Sequence, residues 1–260
     1  MSSANQYDQR NIQTMEMVYG RGYLSAGGNE EVVKILSSVD VKGKHVLDLG
    51  CGLGGAAVVL VGIIGAAKVT GFDVDRQVLD RAAELILEQQ LDDRIELVNG
   101  QPGPLEFSDD YFDIVYMTAV SCHMDDLGLL FTDIFRVLKP GGCLVGSEWI
   151  IRANNESFRK WDNLLRERGL NFYFKHSEAF LGALKAGGFA EYGLIDRTEQ
   201  FAEYSRQACS RVETELKASL EQNLGVEGYQ GFLDWAYKRY ESMRDGGMLQ
   251  CHFKAVKPIG

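Results

Sequence analysis

Two carboxylates and a run of glycines between residues 46 and 73 carry the first chemical signal of this sequence. In VLDLGCGLGG (46–55), Gly50, Gly52 and Gly55 satisfy G-x-G-x-x-G, with Cys51 inside the loop. Glycines at this spacing allow a tight turn that brings backbone amides and a helix N-terminus close to a ligand. Alone, the pattern is a weak signal, since ligands with and without a pyrophosphate use it. The acids narrow it. Asp48 stands two residues before Gly50, facing the ligand crevice, where a carboxylate repels a pyrophosphate and suits a cation. Asp73, 25 residues further on, ends the run KVTGFD and is followed by Val74. A carboxylate there can accept both hydroxyls of a ribose. An adenosyl ligand carrying positive charge, such as S-adenosylmethionine with its ammonium and sulfonium groups, suits both acids. A nicotinamide dinucleotide suits only Asp73.

The elements that position these groups follow from periodicity. HVLDLG (45–50), KVTGFD (68–73), RIELVNG (94–100), FDIVYM (112–117) and CLVGSEWI (143–150) read as strands. Between them, residues 56–67 read as a buried helix too short to span a bilayer, 76–91 and 127–138 as helices, and KPGG (139–142) as a turn. The alternation predicts an α/β fold with a doubly wound, mostly parallel, Rossmann-like sheet that binds ligands at the strand C-termini. After Ile151 the character changes: 157–169, 177–189, 205–224 and 231–246 read as helices, and 192–198 and 248–258 as strands. This organisation is one domain. Residues 1–40 form an N-terminal helical cap, with a helix around 10–19; 41–150 form the cofactor-binding core. Residues 151–247 form substrate-side helices and strands, a helical insertion before the last strand at 248–260. The insertion either lids the crevice or merely covers sheet edges.

Composition limits the ligand class. With 45% hydrophobic and 25% charged residues, the 260-residue chain is that of a globular protein able to bury a large core. A net charge of −10 and scattered basic residues argue against nucleic acid. The polar start MSSANQYDQRN does not resemble a secretory signal, and no run is apolar enough for a membrane partner. Five separated cysteines without a C-x-x-C pair read as reduced thiols of a cytoplasmic protein, with no metal site.

Taken in order, VLDLGCGLGG, GFDVD, FDIVYM and RVLKPGG (46–142) resemble the motifs of class I S-adenosylmethionine-dependent methyltransferases. That resemblance implies S-adenosylmethionine as cofactor, held by Asp48, Gly50, Cys51, Gly52, Gly55, Asp73 and Val74. The family's third strand commonly ends in an acid that binds adenine. Here VNGQPG stands in its place, leaving Gln101 or backbone for that contact. Upstream, NQYDQRNIQTMEMVYGRGYLSAGG (5–28) is similar to the N-terminal segment of phosphoethanolamine N-methyltransferases. By that resemblance Tyr7 of N-Q-Y pairs with His123 in the loop VYMTAVSCHM, and CHFKAVKP matches the final strand.

The resemblance implies methyl transfer to a small-molecule acceptor, an amine above all. An alkylammonium with a pKa near ~10 has no lone pair at neutral pH, and an imidazole near ~6.5 is suited to remove its proton. His123 is therefore the base candidate and Tyr7 its partner; a lone loop histidine is otherwise an ordinary packed or surface residue. Tyr19, Tyr23 and Ser25 in the matched segment, Trp149 at the end of the fifth strand, and Tyr173 and Arg239 are acceptor-side candidates, with Arg168 and Lys238 as further anion contacts. Trp149 suits an ammonium through cation-π contact. Two departures bear on the acceptor. The family loop resembles Y-S-R-D-A-I-x-H, whose acid helps orient the amine, and this chain has Ala119 there. RERGLNFYF does not align with the family's phosphate-binding arginine and tyrosines. Other readings are an O-, S- or C-methyltransferase, a protein that binds the cofactor without turnover, and an NAD-dependent oxidoreductase.

Overall fold

The computed structural model describes residues 7–260; Asn5 and Gln6 of the N-Q-Y motif lie outside the described residues. Eight strands make one sheet: β1 His45–Leu49, β2 Lys68–Asp73, β3 Ile95–Asn99, β4 Phe112–Thr118, β5 Leu138–Ile151, β6 Lys175–His176, β7 Ala190–Asp196 and β8 Met248–Val256. Their order is β3-β2-β1-β4-β5-β8-β7, with β6 beside the end of β5. All pairings are parallel except those of β8, which runs antiparallel to β5 and β7. The doubly wound, mostly parallel sheet expected from the alternation is the observed one.

Among the described residues nine α-helices accompany it: α1 Gln9–Tyr19, α2 Gly28–Ile35, α3 Gly55–Val59, α4 Arg76–Glu88, α5 Leu127–Val137, α6 Glu156–Glu167, α7 Ser177–Ala186, α8 Thr198–Glu213 and α9 Lys217–Arg244. Central strands are apolar on both faces because helices cover both. Leu47, Val115 and Leu144 pack with Phe131 and Phe180 on one face, while Val46, Ile114 and Val145 pack with Val32 and Leu60 on the other. The strand order reverses at β1, which pairs β2 on one side and β4 on the other. Chains leaving these neighbours in opposite directions open a crevice at their C-terminal ends.

Local structure departs from the sequence expectations at three places. The apolar run 56–67 is one turn of α-helix and then a π-turn, Leu60–Ile64, closed by Gly65 at φ +92°. KPGG does not separate helix from strand as a free turn. β5 begins at Leu138, and the extra residues are absorbed as a register shift against β4 between Phe112 and Ile114, where Gly141 and Gly142 exchange backbone hydrogen bonds with Lys257. The segment 205–224 is not one helix. α8 starts seven residues earlier at Thr198, the chain breaks over 214–216, and α9 continues to Arg244 through a kink at Gly225, φ +75°. Among the described residues no helix is long and apolar enough to cross a membrane.

Helix α1 ties the N-terminal segment to both halves of the molecule. Arg81 of α4 reaches Glu16 at 2.8 Å, while Arg211 of α8 donates to the Val18 carbonyl and Asn223 of α9 to the Arg10 carbonyl, both at 3.0 Å. The chain after α1 docks on the glycine loop, where the Gly55 N–H donates to the Gly22 carbonyl at 3.1 Å.

Candidate active site

One large cavity, about 1650 Å³, opens at the C-terminal ends of β1, β2, β4 and β5, under α1, α6, α8 and α9. Its first half is built by the glycine loop. Gly50 and Cys51 donate their N–H groups to the Phe72 carbonyl at 2.8 and 3.0 Å, which pins the loop to the end of β2. Gly50 has φ +70°, and a Cβ there would lie 2.5 Å from Val120 Cγ2, so only glycine lets the loop after β4 approach this closely.

The two acids of this half differ in how they are satisfied. Asp73 accepts the Gly52 N–H through Oδ2 and the Asp75 N–H through Oδ1, each at 3.0 Å. Burial pushes its carboxyl up and these N–H groups pull it back, and the two oxygens keep lone pairs for further donors. Asp48 is buried, and its Oδ2 has no hydrogen-bond partner. Burial first, and the Asp73 charge second, push its carboxyl up to about 7. An unpartnered buried carboxylate oxygen beside a ribose-type acid fits a ligand that brings a cation and a diol. Those are the groups of S-adenosylmethionine. Cys51 also lines this half, its thiol kept protonated by burial and the neighbouring Asp48.

The second half is presented by the loop after β4. Ala119 takes φ +53° and its N–H donates to the Ser147 carbonyl at 3.0 Å, turning the chain into the short 3-10 helix Ser121–His123. Glu148 of β5, buried and absent from the sequence expectations, holds that helix. Its Oε2 accepts the Ser121 N–H at 2.8 Å and the Ser121 hydroxyl at 2.7 Å, while its Oε1 accepts the Trp149 N–H at 2.9 Å. The only signal for it was an acid inside an apolar strand. His123 faces the cavity with its side chain exposed to that space, and the surrounding walls lower its imidazole pKa. Tyr7 lines the same cavity and packs beside Ile12, Leu53 and Val78. Burial, then the charges of Asp73, Cys122 and Asp75, keep its phenol neutral.

Of the remaining sequence candidates, Val74, Gln101, Tyr23, Ser25, Trp149, Tyr173 and Arg239 line the cavity. So does Arg168, whose guanidinium donates to the Gly231 carbonyl at 2.6 Å. Three candidates do not. Gly55 sits behind the loop, where a Cβ would lie 2.6 Å from the Gly22 carbonyl oxygen. Tyr19 stands behind Arg239 and accepts from its Nη2 at 2.6 Å. Lys238 points away to Asp234. Trp161, Phe172 and Phe174 complete the acceptor-side wall and were not singled out in the sequence, where they look like ordinary amphipathic spacing.

Similarity to known proteins agrees with this geometry. Residues 47–146 match the model of the methyltransferase domain. The chain is 28% identical over 211 residues to phosphoethanolamine N-methyltransferase 1 of Arabidopsis thaliana, an alignment covering 81% of this chain and 42% of that protein. It is 32% identical over 148 residues to a sterol 24-C-methyltransferase of Gibberella zeae, covering 57% of this chain and 35% of the relative. The structure of phosphoethanolamine N-methyltransferase 2 of Haemonchus contortus, solved with phosphomonomethylethanolamine and S-adenosylhomocysteine, superposes with a TM-score of 0.87 at 26% identity, covering 98% of this chain and 58% of that one. The chain thus spans less than half the length of the curated phosphoethanolamine relatives it matches. Motif order, sheet order and these similarities give residues 47–146 as a methyltransferase domain, in a chain with the fold of class I S-adenosylmethionine-dependent methyltransferases that resembles the phosphoethanolamine N-methyltransferases.

Proposed function

We propose that the protein methylates the nitrogen of a small-molecule amine with machinery of the phosphoethanolamine-methyltransferase type. The observation that carries this reading is His123. It is an imidazole exposed to the cavity, on a loop packed against Gly50, and its lowered pKa keeps it neutral at pH 7. Bound S-adenosylmethionine supplies a methyl group already activated on sulfur, so the protein's task is to position and deprotonate. Asp48 and Asp73 receive the cofactor's ammonium and ribose hydroxyls. His123 takes the proton from the acceptor ammonium, which frees the nitrogen lone pair to form the new N–CH₃ bond. Tyr7, a neutral phenol on the same wall, orients the acceptor with His123, and Arg239 holds an anionic group of it. Helices α1, α8 and α9 close the cavity and exclude water.

Titration with S-adenosylhomocysteine, followed by an acceptor panel scored for its release, tests the proposal. Nucleoside binding and methylation of amines are expected. Turnover only with phenols or thiols defeats the amine assignment, and no nucleoside binding defeats the cofactor assignment. Ala119 favours a second reading, methyl transfer to oxygen, sulfur or carbon, because no carboxylate stands at that position to engage an amine's N–H groups. The same panel decides between them.

A further inference from the structure

The acceptor half of the cavity has a continuous aromatic wall. Trp149 and Trp161 have ring centroids 5.5 Å apart, Trp161 and Phe174 5.2 Å, and Phe174 and Phe172 5.4 Å with planes only 6° from parallel. Phe172 meets the His123 ring at 4.7 Å. All five side chains line the cavity, so the proposed base sits at the end of a row of aromatic rings. Trp161 is buried, and its indole N–H has no partner.

Charge on the cavity wall leaves room for an anion. Among the described residues six carboxylates and four arginines line the cavity, with no lysine. Arg76 is paired with Asp80 and Arg136 with Asp109 and Asp133. Arg168 donates to the Gly231 carbonyl, which does not neutralise it, and Arg239 is buried against Tyr19 and Trp235 with its Nε–H unbonded. These charges suit an anionic group of either kind, so it is the aromatic wall that separates a ring-bearing amine from phosphoethanolamine, which has no ring to lay on it.

Building on the amine reading above, we infer that the acceptor is an amine borne on an apolar, ring-bearing body that carries an anionic group, and not a ring-free phosphobase. The body lies on Trp149, Trp161, Phe172 and Phe174, with its anionic group at Arg239 and its amine at His123. Steady-state release of S-adenosylhomocysteine is measured with phenylalanine, phenethylamine, propylamine and phosphoethanolamine as acceptors, with a phenol and a thiol alongside. The expected kcat/KM order is phenylalanine, phenethylamine, propylamine, with phosphoethanolamine at least about tenfold below the first, the effect of one aromatic contact or more. Phe172→Leu should narrow the preference for phenethylamine over propylamine by up to about tenfold, and Trp149→Phe should narrow it less. Preference for phosphoethanolamine, or equal loss on both amines in Phe172→Leu, overturns this inference and leaves amine methylation standing. Turnover with the phenol or thiol alone overturns the amine reading and the inference with it. Silence from the whole panel in a protein that binds the nucleoside overturns the inference and leaves the cofactor assignment intact.

Discussion

The two halves of the cavity are built on opposite principles. The cofactor half is backbone: a glycine loop pinned by N–H bonds to the end of β2, one acid partnered by amides and one with an oxygen left without a partner. The proposed acceptor half is side chains: an aromatic wall from β5, α6 and the segment after it, and the proposed base His123 presented by a strained turn. Backbone geometry is shared by every protein that must seat the same nucleoside, whereas a side-chain wall can be refitted without disturbing the sheet. The difference teaches where specificity resides. Changes in the first half should act on cofactor affinity, and changes in the second on turnover and acceptor choice.

The largest separation is expected from His123→Ala. Loss of a general base costs roughly 10²–10⁴ in rate. The S-adenosylhomocysteine Kd by calorimetry should stay within about threefold of wild type, because no backbone of the cofactor loop is touched. A parallel collapse of nucleoside affinity would put His123 in the cofactor half and break the comparison.

Asp48→Asn should give the mirror image. Removing a charge-assisted contact to an ammonium costs about 1.5–3 kcal/mol, roughly 10- to 150-fold in Kd. The same change should stabilise the protein without ligand. Burial raises the Asp48 pKa from 3.8 to about 7, and at about 1.4 kcal/mol per unit its ionisation costs the fold on the order of 4 kcal/mol above pH 7. Being raised, this acid makes the folded state less favourable as pH climbs from about 4 through 7. A higher Tm for Asp48→Asn at pH 8, shrinking towards pH 4, checks the sign. Ligand binding has the opposite dependence: only the carboxylate attracts an ammonium, so wild-type Kd should weaken below pH 7 by up to about tenfold per unit. A Kd flat between pH 5.5 and 8 would show that Asp48 does not face the cation.

Gly50→Ala tests the seam between the halves. Its Cβ would collide with Val120, one residue before the helix that carries His123, and φ +70° adds about 1–2 kcal/mol of backbone strain. Both Kd and kcat should worsen, each by roughly tenfold. An effect confined to one of them would mean that the two loops move independently.

How much of this could be read from the sequence follows the same division. The glycine spacing, Asp48, Asp73 and the strand alternation are local patterns, and the β-loop-α-β unit with its crevice was legible from them. Asp113 and LKPGG were legible as motifs without their reason, which is that Lys139 and Asp113 pair at 2.9 Å and Asp113 also accepts the His45 N–H at 2.8 Å, tying β4, β5 and β1 together. Other features depend on distant contacts. The break over 214–216 and the start of α8 at Thr198 were missed because residues 205–224 keep an unbroken helical pattern without Gly or Pro before Gly225. Tyr19 was taken as lining the site because the sequence cannot tell which side of Arg239 it occupies. The wall of Trp161, Phe172 and Phe174 forms only when α6 and the next segment fold onto β5.

Glu148 offers the finest test of how the acceptor half is held. Its three hydrogen bonds are all accepted, two by Oε2 from Ser121 and one by Oε1 from the Trp149 N–H. Glutamine keeps the shape and has only one accepting oxygen. Whichever way its amide is turned, an NH₂ faces an N–H or O–H donor, and at least one buried bond is lost at about 1–3 kcal/mol. The Ser121–His123 turn should then relax from its strained start at Ala119, and since a shift of about 1 Å can cost up to 10²-fold, a tenfold fall in kcat is a reasonable magnitude for a partial shift. Glu148 does not line the cavity, so its effect must travel through the turn. The acceptor KM and the pH dependence of turnover should therefore change with kcat, while the nucleoside Kd stays as it was. Were Glu148→Gln only to lower Tm, with kcat and its pH profile intact, the carboxylate would be holding the fold of β5 and not the position of the base.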